Sequence, residues 1–310
     1  MPVLYSLSMP PQQQGLASAG RGTVEPMVMR AWDAFLAIAE QVDLQGHTRL
    51  AGWRSHEVCV HLGAWDDYLA VQGIIASANG QLGGTGGASI PDPDEANARI
   101  TRQKRDASRE QVLAALRRGR REVEQYFASG DTSLDSAAVV STLGPLPLLS
   151  VLLGQCYELA VHSLDLVSAG APQPPEDLLQ TGLAALADVT GAVAHRVGII
   201  DLTTTLWTPD GGWTFTTDAT GWTTTRADGS RPRGTVVEGE TTVVLDCASG
   251  RVNPVVALAR RQLKVHGMAG LTRLAPIVES VPGIPGGPTL RLAARALSGA
   301  GGVVGRFTRF

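Results

Sequence analysis

The sequence predicts a protein in two parts, a bundle of amphipathic helices followed by a smaller α+β part with an antiparallel sheet. Up to residue 197, apolar residues recur at three- and four-residue steps, as on one face of a helix. Beyond Gly198, threonine and tryptophan alternate with apolar residues around Pro-Asp-Gly-Gly and Ala-Asp-Gly turns, which is typical of antiparallel strands. A length of 310 residues is sufficient for two hydrophobic cores.

The periodicity and the turn residues set approximate bounds for each element. Helices are predicted over residues 24–42, 55–78, 98–124, 145–170 and 175–197. In the second part, strands are predicted at 199–207, 212–217, 221–226, 235–240 and 261–265, with short helices at 241–249 and 254–260.

These elements divide the chain into four segments. We expect a disordered arm over 1–22, the metal-binding helical bundle over 23–197, the α+β domain over 198–280 and a docked or loose tail over 281–310. Residues 80–95 are rich in glycine but lack the Gly-Lys-Ser/Thr ending of a phosphate-binding loop, so they predict a mobile loop.

Composition excludes some classes of function and favours a cytoplasmic location. The formal net charge is −3 and charged residues make up 18% of the chain, so no overall positive field would attract nucleic acid. The sequence has no signal-peptide pattern at its start and no uninterrupted apolar run long enough to span a membrane. Cys59, Cys156 and Cys247 show no pairing pattern, which suits a reducing compartment.

A carboxylate and an imidazole lie together on the predicted helix over 145–170. Glu158 and His162 stand four residues apart, so their side chains project from one face about one turn apart. Burying such a pair is costly unless a partner compensates, and a divalent metal is one such partner. A surface pair, or a core pair that satisfies itself, is the ordinary alternative.

A third ligand is available from the predicted helix over 55–78. Ser55 is the expected N-cap, and His61 lies near the buried side of that helix, close to Leu62 and Trp65. With Glu158 and His162, it would make a three-ligand site with an open position, as in catalytic zinc centres.

The same residues carry a resemblance to a known family. Trp53 and His61, then Gly144-Pro145-Leu146-Pro147-Leu148, then Glu158-x-x-x-His162-x-x-Asp165 resemble the mycothiol-dependent maleylpyruvate isomerase family. The resemblance implies a DinB-like four-helix bundle that binds Zn²⁺ or another divalent metal through His61, Glu158 and His162. It also implies mycothiol as the thiol cofactor.

The second part is similar to a sterol carrier protein domain. The residues that carry this likeness are 244–251, 254–259 and 263–267, although Met268 stands where an aspartate is common. The two resemblances together imply a substrate-binding role for Trp65 and for an arginine of the second part, with Arg251, Arg260 and Arg261 as candidates. The sequence does not choose among these arginines.

The chemistry expected from these residues depends on a thiolate. Metal coordination deprotonates a thiol whose pKa is roughly 8.5 in water, and the thiolate attacks an electrophilic small molecule, as an isomerase or as an S-transferase. Asp165, three residues beyond His162, is placed to orient the imidazole or move a proton.

Several alternatives remain at this point. Cys59 or Cys156 could be a fourth ligand or a nucleophile, but free cysteines are commonly small buried hydrophobes. The protein could instead be a non-catalytic carrier of an apolar ligand, or a metal-binding bundle with a regulatory role. A homo-oligomer is also left open.

Overall fold

The computed structural model describes residues 13–65, 74–75, 93–141, 143–229, 232, 234–267, 270, 273–274 and 277. Helices dominate up to residue 196, and a mostly antiparallel six-stranded sheet follows. The predicted class, a helical part followed by an α+β part with a sheet, is confirmed. The likeness of the second part to a sterol carrier domain stays a prediction, as do the domain boundaries at residues 197 and 280.

The helical part is built from long, largely apolar segments. After the two-residue strand β1 (Gln13–Gln14) and a 3₁₀ turn (Gly15–Ala19), the helices are α1 (Arg21–Ala39), α2 (Ser55–Leu62), α3 (Pro93–Gln103), α4 (Arg109–Ala128), α5 (Leu148–Leu166) and α6 (Glu176–Arg196). A short antiparallel hairpin, β2 (Ala138–Ser141) and β3 (Gly144–Pro147), leads into α5.

The C-terminal part pairs its strands around a central meander. The remaining elements are β4 (Leu202–Thr208), β5 (Gly211–Asp218), β6 (Gly221–Ala227), β7 (Thr235–Gly239), α7 (Thr241–Ala248), α8 (Pro254–Ala259) and β8 (Leu263–His266). The strand order is β1-β6-β5-β4-β7-β8, with β1–β6 and β4–β7 parallel and the other pairs antiparallel. Cross-strand threonine pairs support the register, as where the hydroxyls of Thr205 and Thr214 lie 2.8 Å apart.

Helix α6 packs between the bundle and the sheet, and one continuous apolar core runs through both parts. Gly191 allows the close approach of the sheet, because a Cβ there would lie 2.9 Å from the Trp222 ring and 3.2 Å from Phe215. Most side chains of α5 are buried, which explains why apolar residues occupy most of its circumference.

The start of the chain differs from the expected disordered arm. Residues 13–22 are structured: β1 pairs with β6, Leu16 is 3% exposed, and its N–H donates to Asp188 Oδ1 at 2.8 Å. The prediction was wrong for these residues because a buried acceptor 172 positions away holds the segment. Residues 1–12 lie outside the described part of the chain.

Two predicted helices have different bounds in the structure. The helix expected over 55–78 ends at Leu62, where Gly63 adopts an extended backbone, and Arg54 rather than Ser55 is its N-cap. The helix expected over 98–124 is two helices, because Ser108 and Gln111 cap α4 through reciprocal hydrogen bonds of 3.2 and 2.8 Å.

Some expectations cannot be compared with the structure. Most of the glycine-rich segment over 80–95, and the tail over 281–310, lie outside the described residues. Among the helices that are described, none is both long and apolar enough to cross a membrane.

Candidate metal centre

Helix α5 presents Glu158 and His162 on one face, as their spacing predicts. The His162 side chain is 6% exposed and that of Glu158 is 48% exposed. His162 therefore lies inside the protein and Glu158 at its rim, and the pair opens toward solvent on the glutamate side.

The last turn of α2 brings His61 to the same point. His61 Nε2 lies 3.9 Å from Glu158 Oε2, and His162 Nε2 lies 3.4 Å from the same oxygen. The three potential ligand atoms all lie within 4.8 Å of one another. Atoms bound about 2.1 Å from a tetrahedral zinc ion lie about 3.4 Å apart, so this spacing fits a divalent cation.

The two imidazoles and the carboxylate change one another's proton affinity. Desolvation would by itself raise the pKa of Glu158, but the facing His162 and His61 outweigh it and hold that pKa well below its usual range. Desolvation would lower the pKa of His162, but Asp165 and Glu158 outweigh it and raise that pKa. A group of two imidazoles around one ionised carboxylate is the donor set expected of a divalent-metal site.

Asp165 holds the other edge of His162. It is fully buried, and its Oδ2 lies 2.9 Å from His162 Nδ1. This contact places the proton on Nδ1 and leaves Nε2 facing Glu158, as in carboxylate–histidine–metal arrangements. Burial would raise the pKa of Asp165, but hydrogen bonds from His162 and Arg251 outweigh burial, and the pKa lies well below its usual range.

Two arginines complete the surroundings of Asp165. Arg49 Nε donates to Oδ1 at 2.6 Å, and Arg251 Nη2 donates to Oδ2 at 2.8 Å. Arg49 comes from the loop between α1 and α2, and Arg251 follows α7 in the C-terminal part. Residues from both parts of the chain therefore hold Asp165 in place beside His162.

Trp53 forms an aromatic wall beside both imidazoles. Its ring is parallel to that of His162, with centroids 6.4 Å apart, and edge-on to that of His61 at 5.7 Å. Among the described residues, the buried His61 Nδ1 and the buried amide oxygen of Gln155, three residues before Glu158 on α5, have no hydrogen-bond partner. The Gln155 oxygen is an acceptor that a bound ligand could use.

The other predicted site residues lie elsewhere or act differently. Trp65 donates its indole N–H to the Val60 carbonyl at 2.9 Å, and Lys104 Nζ lies over its ring, 5.2 Å from the centroid. Arg251 contacts Asp165, as described above. Arg260 and Arg261 are exposed in the turn before β8, and Arg261 borders a polar groove beside Glu238 and Lys264. A role for any of them in substrate binding stays a prediction.

The cysteines behave as buried hydrophobes. All three are free and buried, and Cys59 and Cys156 are 0% exposed. Burial raises the pKa of the Cys59 thiol to about 12 and raises that of Cys156 as well, so neither would be a thiolate at neutral pH.

The arginine-rich segment before α5 serves the fold. Arg109 donates to the carbonyls of Glu40 and Val42, at and beyond the end of α1, at 2.6 and 2.8 Å. Arg120 pairs with Asp33 and Glu124. Arg109 and Arg120 thus join α4 to α1.

Sequence reasoning did not identify Arg49 or Asp246 as part of the site, and it used Trp53 only as a family motif. Arg49 contacts Asp165 and Asp246 across 116 and 197 positions. No local spacing indicates such contacts. Trp53 could have been found, because it precedes His61 in the motif on which the resemblance depends.

These observations define a protein of helices followed by a sheet, with a candidate divalent-metal centre formed in the helical part by two histidines and a glutamate. Residues 27–167 match the family model described as "Mycothiol maleylpyruvate isomerase N-terminal domain". This segment, which contains all three candidate ligands, is therefore similar to that domain.

Comparisons with whole proteins gave more distant similarities. The chain is 16% identical to the crystal structure of the mycothiol-dependent maleylpyruvate isomerase, with a TM-score of 0.49, covering 83% of this chain and 97% of that one. A histidine-to-alanine mutant of it gives 15% identity and the same coverage and TM-score. The sec-alkylsulfatase Pisa1 from Pseudomonas sp. is 13% identical over 66% of this chain and 31% of its own, with a TM-score of 0.24. No curated protein matched the chain.

Proposed function

We propose that the chain is a metal-dependent enzyme that uses mycothiol to act on an electrophilic small molecule, as an isomerase or an S-transferase. The convergence of His61, Glu158 and His162 carries this proposal, because two distant segments place one carboxylate and two imidazoles within 4.8 Å. The match of residues 27–167 to the family model supports the enzymatic class. The description of that model names mycothiol, which suggests mycothiol as the thiol.

The residues present fit a divalent cation such as zinc. Three protein ligands with nitrogen and oxygen donors are typical of catalytic zinc, which keeps a further position for another molecule. The 3.4 Å spacing of His162 Nε2 and Glu158 Oε2 and the 3.9 Å spacing of His61 Nε2 and the same oxygen are consistent with that use. A bound cation would supply the positive charge that keeps a thiol as its thiolate at neutral pH.

The protein's own residues would orient the reactants. Asp165 fixes the His162 ring, and Trp53 covers the imidazoles and restricts water on that side. Glu158, half exposed, marks the side from which small molecules would enter. Arg251 has only 14% of its side chain exposed and neutralises Asp165, so its main role would be to support the centre.

The reaction balances without an oxidant or reductant. The thiolate sulfur adds to an electrophilic carbon of a conjugated alkene, and the electron pair moves to the conjugated carbonyl oxygen. In an isomerase, rotation about the former double bond and return of the electron pair break the carbon–sulfur bond and release the thiolate. In an S-transferase, the carbon–sulfur bond remains. The electron pair returns from the oxygen, and either a proton adds to the carbon beside the carbonyl or a leaving group departs with its bonding electrons.

Metal analysis is the first test. We expect purified protein to bind about one zinc per chain, and His61→Ala and His162→Ala to lose it. His195→Ala is the matched control, since His195 lies on α6 with its Nδ1 3.2 Å from the Asp218 carbonyl. Full zinc binding by His61→Ala would contradict the proposed centre.

Turnover then separates the candidate reactions. Maleylpyruvate with mycothiol tests the isomerase, and an alkylating electrophile with mycothiol tests the transferase. Zinc binding without either turnover would favour a metal-binding protein with a different role.

The carrier hypothesis predicts co-purified lipid without metal. The groove beside β7 and β8 is lined by the charged residues Glu238, Glu240, Arg261 and Lys264 and also by Trp207 and Pro209, so it does not by itself decide for or against an apolar ligand. A cytoplasmic location is part of the proposal, and the three free cysteines support it.

A further inference from the structure

Arg49 bridges two carboxylates that belong to different parts of the chain. Its Nε donates to Asp165 Oδ1 at 2.6 Å, while Nη1 and Nη2 donate to the two oxygens of Asp246 at 2.7 and 2.6 Å. Asp165 lies on α5 beside His162, and Asp246 lies on α7. One guanidinium thus links α5, the helix that carries Glu158 and His162, with the C-terminal part of the chain.

We propose that Arg49 is a positioning residue that uses Asp246 as an anchor to fix Asp165, and through it the His162 ring, in the orientation that binds metal. This inference rests on the proposed metal centre and assigns a role to residues that make no contact with the metal ligands. It also gives the C-terminal part an effect on the centre.

The hydrogen bonds around Asp165 leave it little freedom. Arg49 and Arg251 approach its two oxygens, and His162 Nδ1 takes a remaining position on Oδ2 at 2.9 Å. Among the described residues, Asp165 Oδ2 is the hydrogen-bond partner of His162 Nδ1. Any shift of the carboxylate would therefore release the imidazole.

The loop that holds Arg49 also holds Trp53. Thr48 Oγ1 donates to the Trp53 carbonyl at 2.7 Å, and the Trp53 N–H donates to the Leu50 carbonyl at 3.1 Å. Trp53 stacks parallel to the His162 ring. The same short loop thus restrains His162 at its face through Trp53 and at its edge through Arg49 and Asp165.

Burial distinguishes this bridge from an ordinary surface ion pair. The side chains of Asp165 and Asp246 are 0% and 13% exposed. Arg120 provides the matched comparison, because it also bridges two carboxylates, but these are 56% and 52% exposed. Exposed ion pairs of that kind contribute little to stability. The planar guanidinium of Arg49, in contrast, donates to both oxygens of the mostly buried Asp246 and also to the fully buried Asp165.

The test compares Arg49→Met, Asp246→Asn and the control Arg120→Met. Zinc affinity is measured by competition with a chromophoric chelator. Loss of a group that orients a metal ligand typically lowers metal affinity about 10- to 100-fold, and we expect that for Arg49→Met. Asp246→Asn should give a smaller loss of about 3- to 10-fold, and Arg120→Met should match wild type.

A second readout does not require metal. In metal-free protein, at a pH high enough for the His162 ring to be neutral, ¹⁵N NMR of that ring reports which nitrogen carries the proton. We expect the Nδ1–H form in wild type and in Arg120→Met, and a mixture of tautomers in Arg49→Met and Asp246→Asn.

These two readouts separate the possible failures. If wild type binds no zinc, the proposed function fails, and the tautomer measurement alone decides the role of Arg49. If Arg49→Met keeps both wild-type zinc affinity and the wild-type tautomer, the inference is overturned. Should Arg49→Met not fold, Asp246→Asn decides, and a wild-type result in both readouts overturns the inference equally.

Discussion

Among the described residues, two aspartates, Asp165 and Asp188, are fully buried, and their hydrogen-bond partners differ in kind. Asp165 is surrounded by the charged groups of Arg49 and Arg251 and by His162. Asp188, on α6, accepts from four neutral donors, namely the Leu16 N–H, Ser150, Trp222 and Thr224. The pKa of Asp165 is lowered, whereas burial outweighs the donors and raises the pKa of Asp188.

The difference indicates that Asp165 supports the candidate metal centre, whereas Asp188 joins α6 to the start of the chain, to α5 and to the sheet. Asp165 must remain a carboxylate, because its arginine partners carry charge and cannot accept a hydrogen bond. The four donors around Asp188 require an oxygen acceptor rather than a negative charge. Three of them donate to Oδ1, and the Ser150 hydroxyl donates to Oδ2. The same substitution should therefore have different results at the two sites.

Asp165→Asn should have the largest effect. An amide at this position would present N–H groups to arginines that can only donate, and it would leave their charges without the buried counter-charge. We expect a loss of about 3 kcal/mol in the free energy of unfolding and about a 10- to 100-fold loss of zinc affinity. Urea unfolding and chelator competition measure the two quantities. Wild-type values in both would show that the charge of Asp165 is unimportant.

Asp188→Ala should rank second, and Asp188→Asn is its matched control. The alanine leaves the Leu16 N–H and the Trp222 indole N–H buried without partners, which should cost about 2 to 3 kcal/mol in the free energy of unfolding. The asparagine can keep its oxygen toward those donors and donate to Ser150, so it should cost about 1 kcal/mol or less. Zinc affinity should be unchanged in Asp188→Asn. Equal losses of stability in both variants, measured in urea, would contradict this account.

Gly15→Ala should destabilise the same junction. Gly15 has φ +57°, and a Cβ there would lie 1.9 Å from Asp188 Oδ1. The substitution would displace the carboxylate and add backbone strain, for an expected loss of about 2 kcal/mol. Gly20→Ala is a useful comparison, because Gly20 also has a positive φ but has no atom within 4 Å of an added Cβ. Thermal unfolding should therefore show the larger loss for Gly15→Ala.

The smallest expected effect concerns how the contributions of Asp165 and Asp188 to the free energy of unfolding change with pH, which should be in opposite directions. A lowered native pKa gives Asp165 a stabilising contribution that is present above the ordinary value of 3.8 and is lost as pH falls through the native pKa. A raised native pKa gives Asp188 a contribution that is present below 3.8 and is lost as pH rises through the native pKa. In metal-free protein, the stability difference between wild type and Asp165→Asn should thus shrink on acidification from pH 5 to pH 3. The difference for Asp188→Asn should change in the opposite direction, as urea unfolding at several pH values would show.

Local patterns predicted the elements that depend on local causes. The periodicity of α5 and α6 and the alternation of β4 to β6 were sufficient to place these elements within a few residues. The Glu158 and His162 pair followed from one helical turn, and the resemblance to the family supported His61 as the third member. In each case the information lies within a few residues of the feature.

What the sequence did not predict depends on distant partners. The order of residues 13–22 depends on Asp188, and the role of Arg49 depends on Asp165 and Asp246. The early end of α2 at Gly63 is a further case, where the Ala64 N–H bonds to the Ala115 carbonyl of α4 instead of continuing the helix. Helical spacing carries no information about contacts between residues that lie so far apart in the sequence.

The position of α6 between the bundle and the sheet limits how this protein can be divided. A fragment ending at residue 197 would strip the sheet-facing side of α6, leaving Gly191 against solvent and Asp188 with only the Leu16 and Ser150 donors. Such a fragment should be prone to aggregation, although it would contain every candidate ligand. Exchanging the sheet for that of a relative would require α6 and residues 13–20 to be exchanged with it.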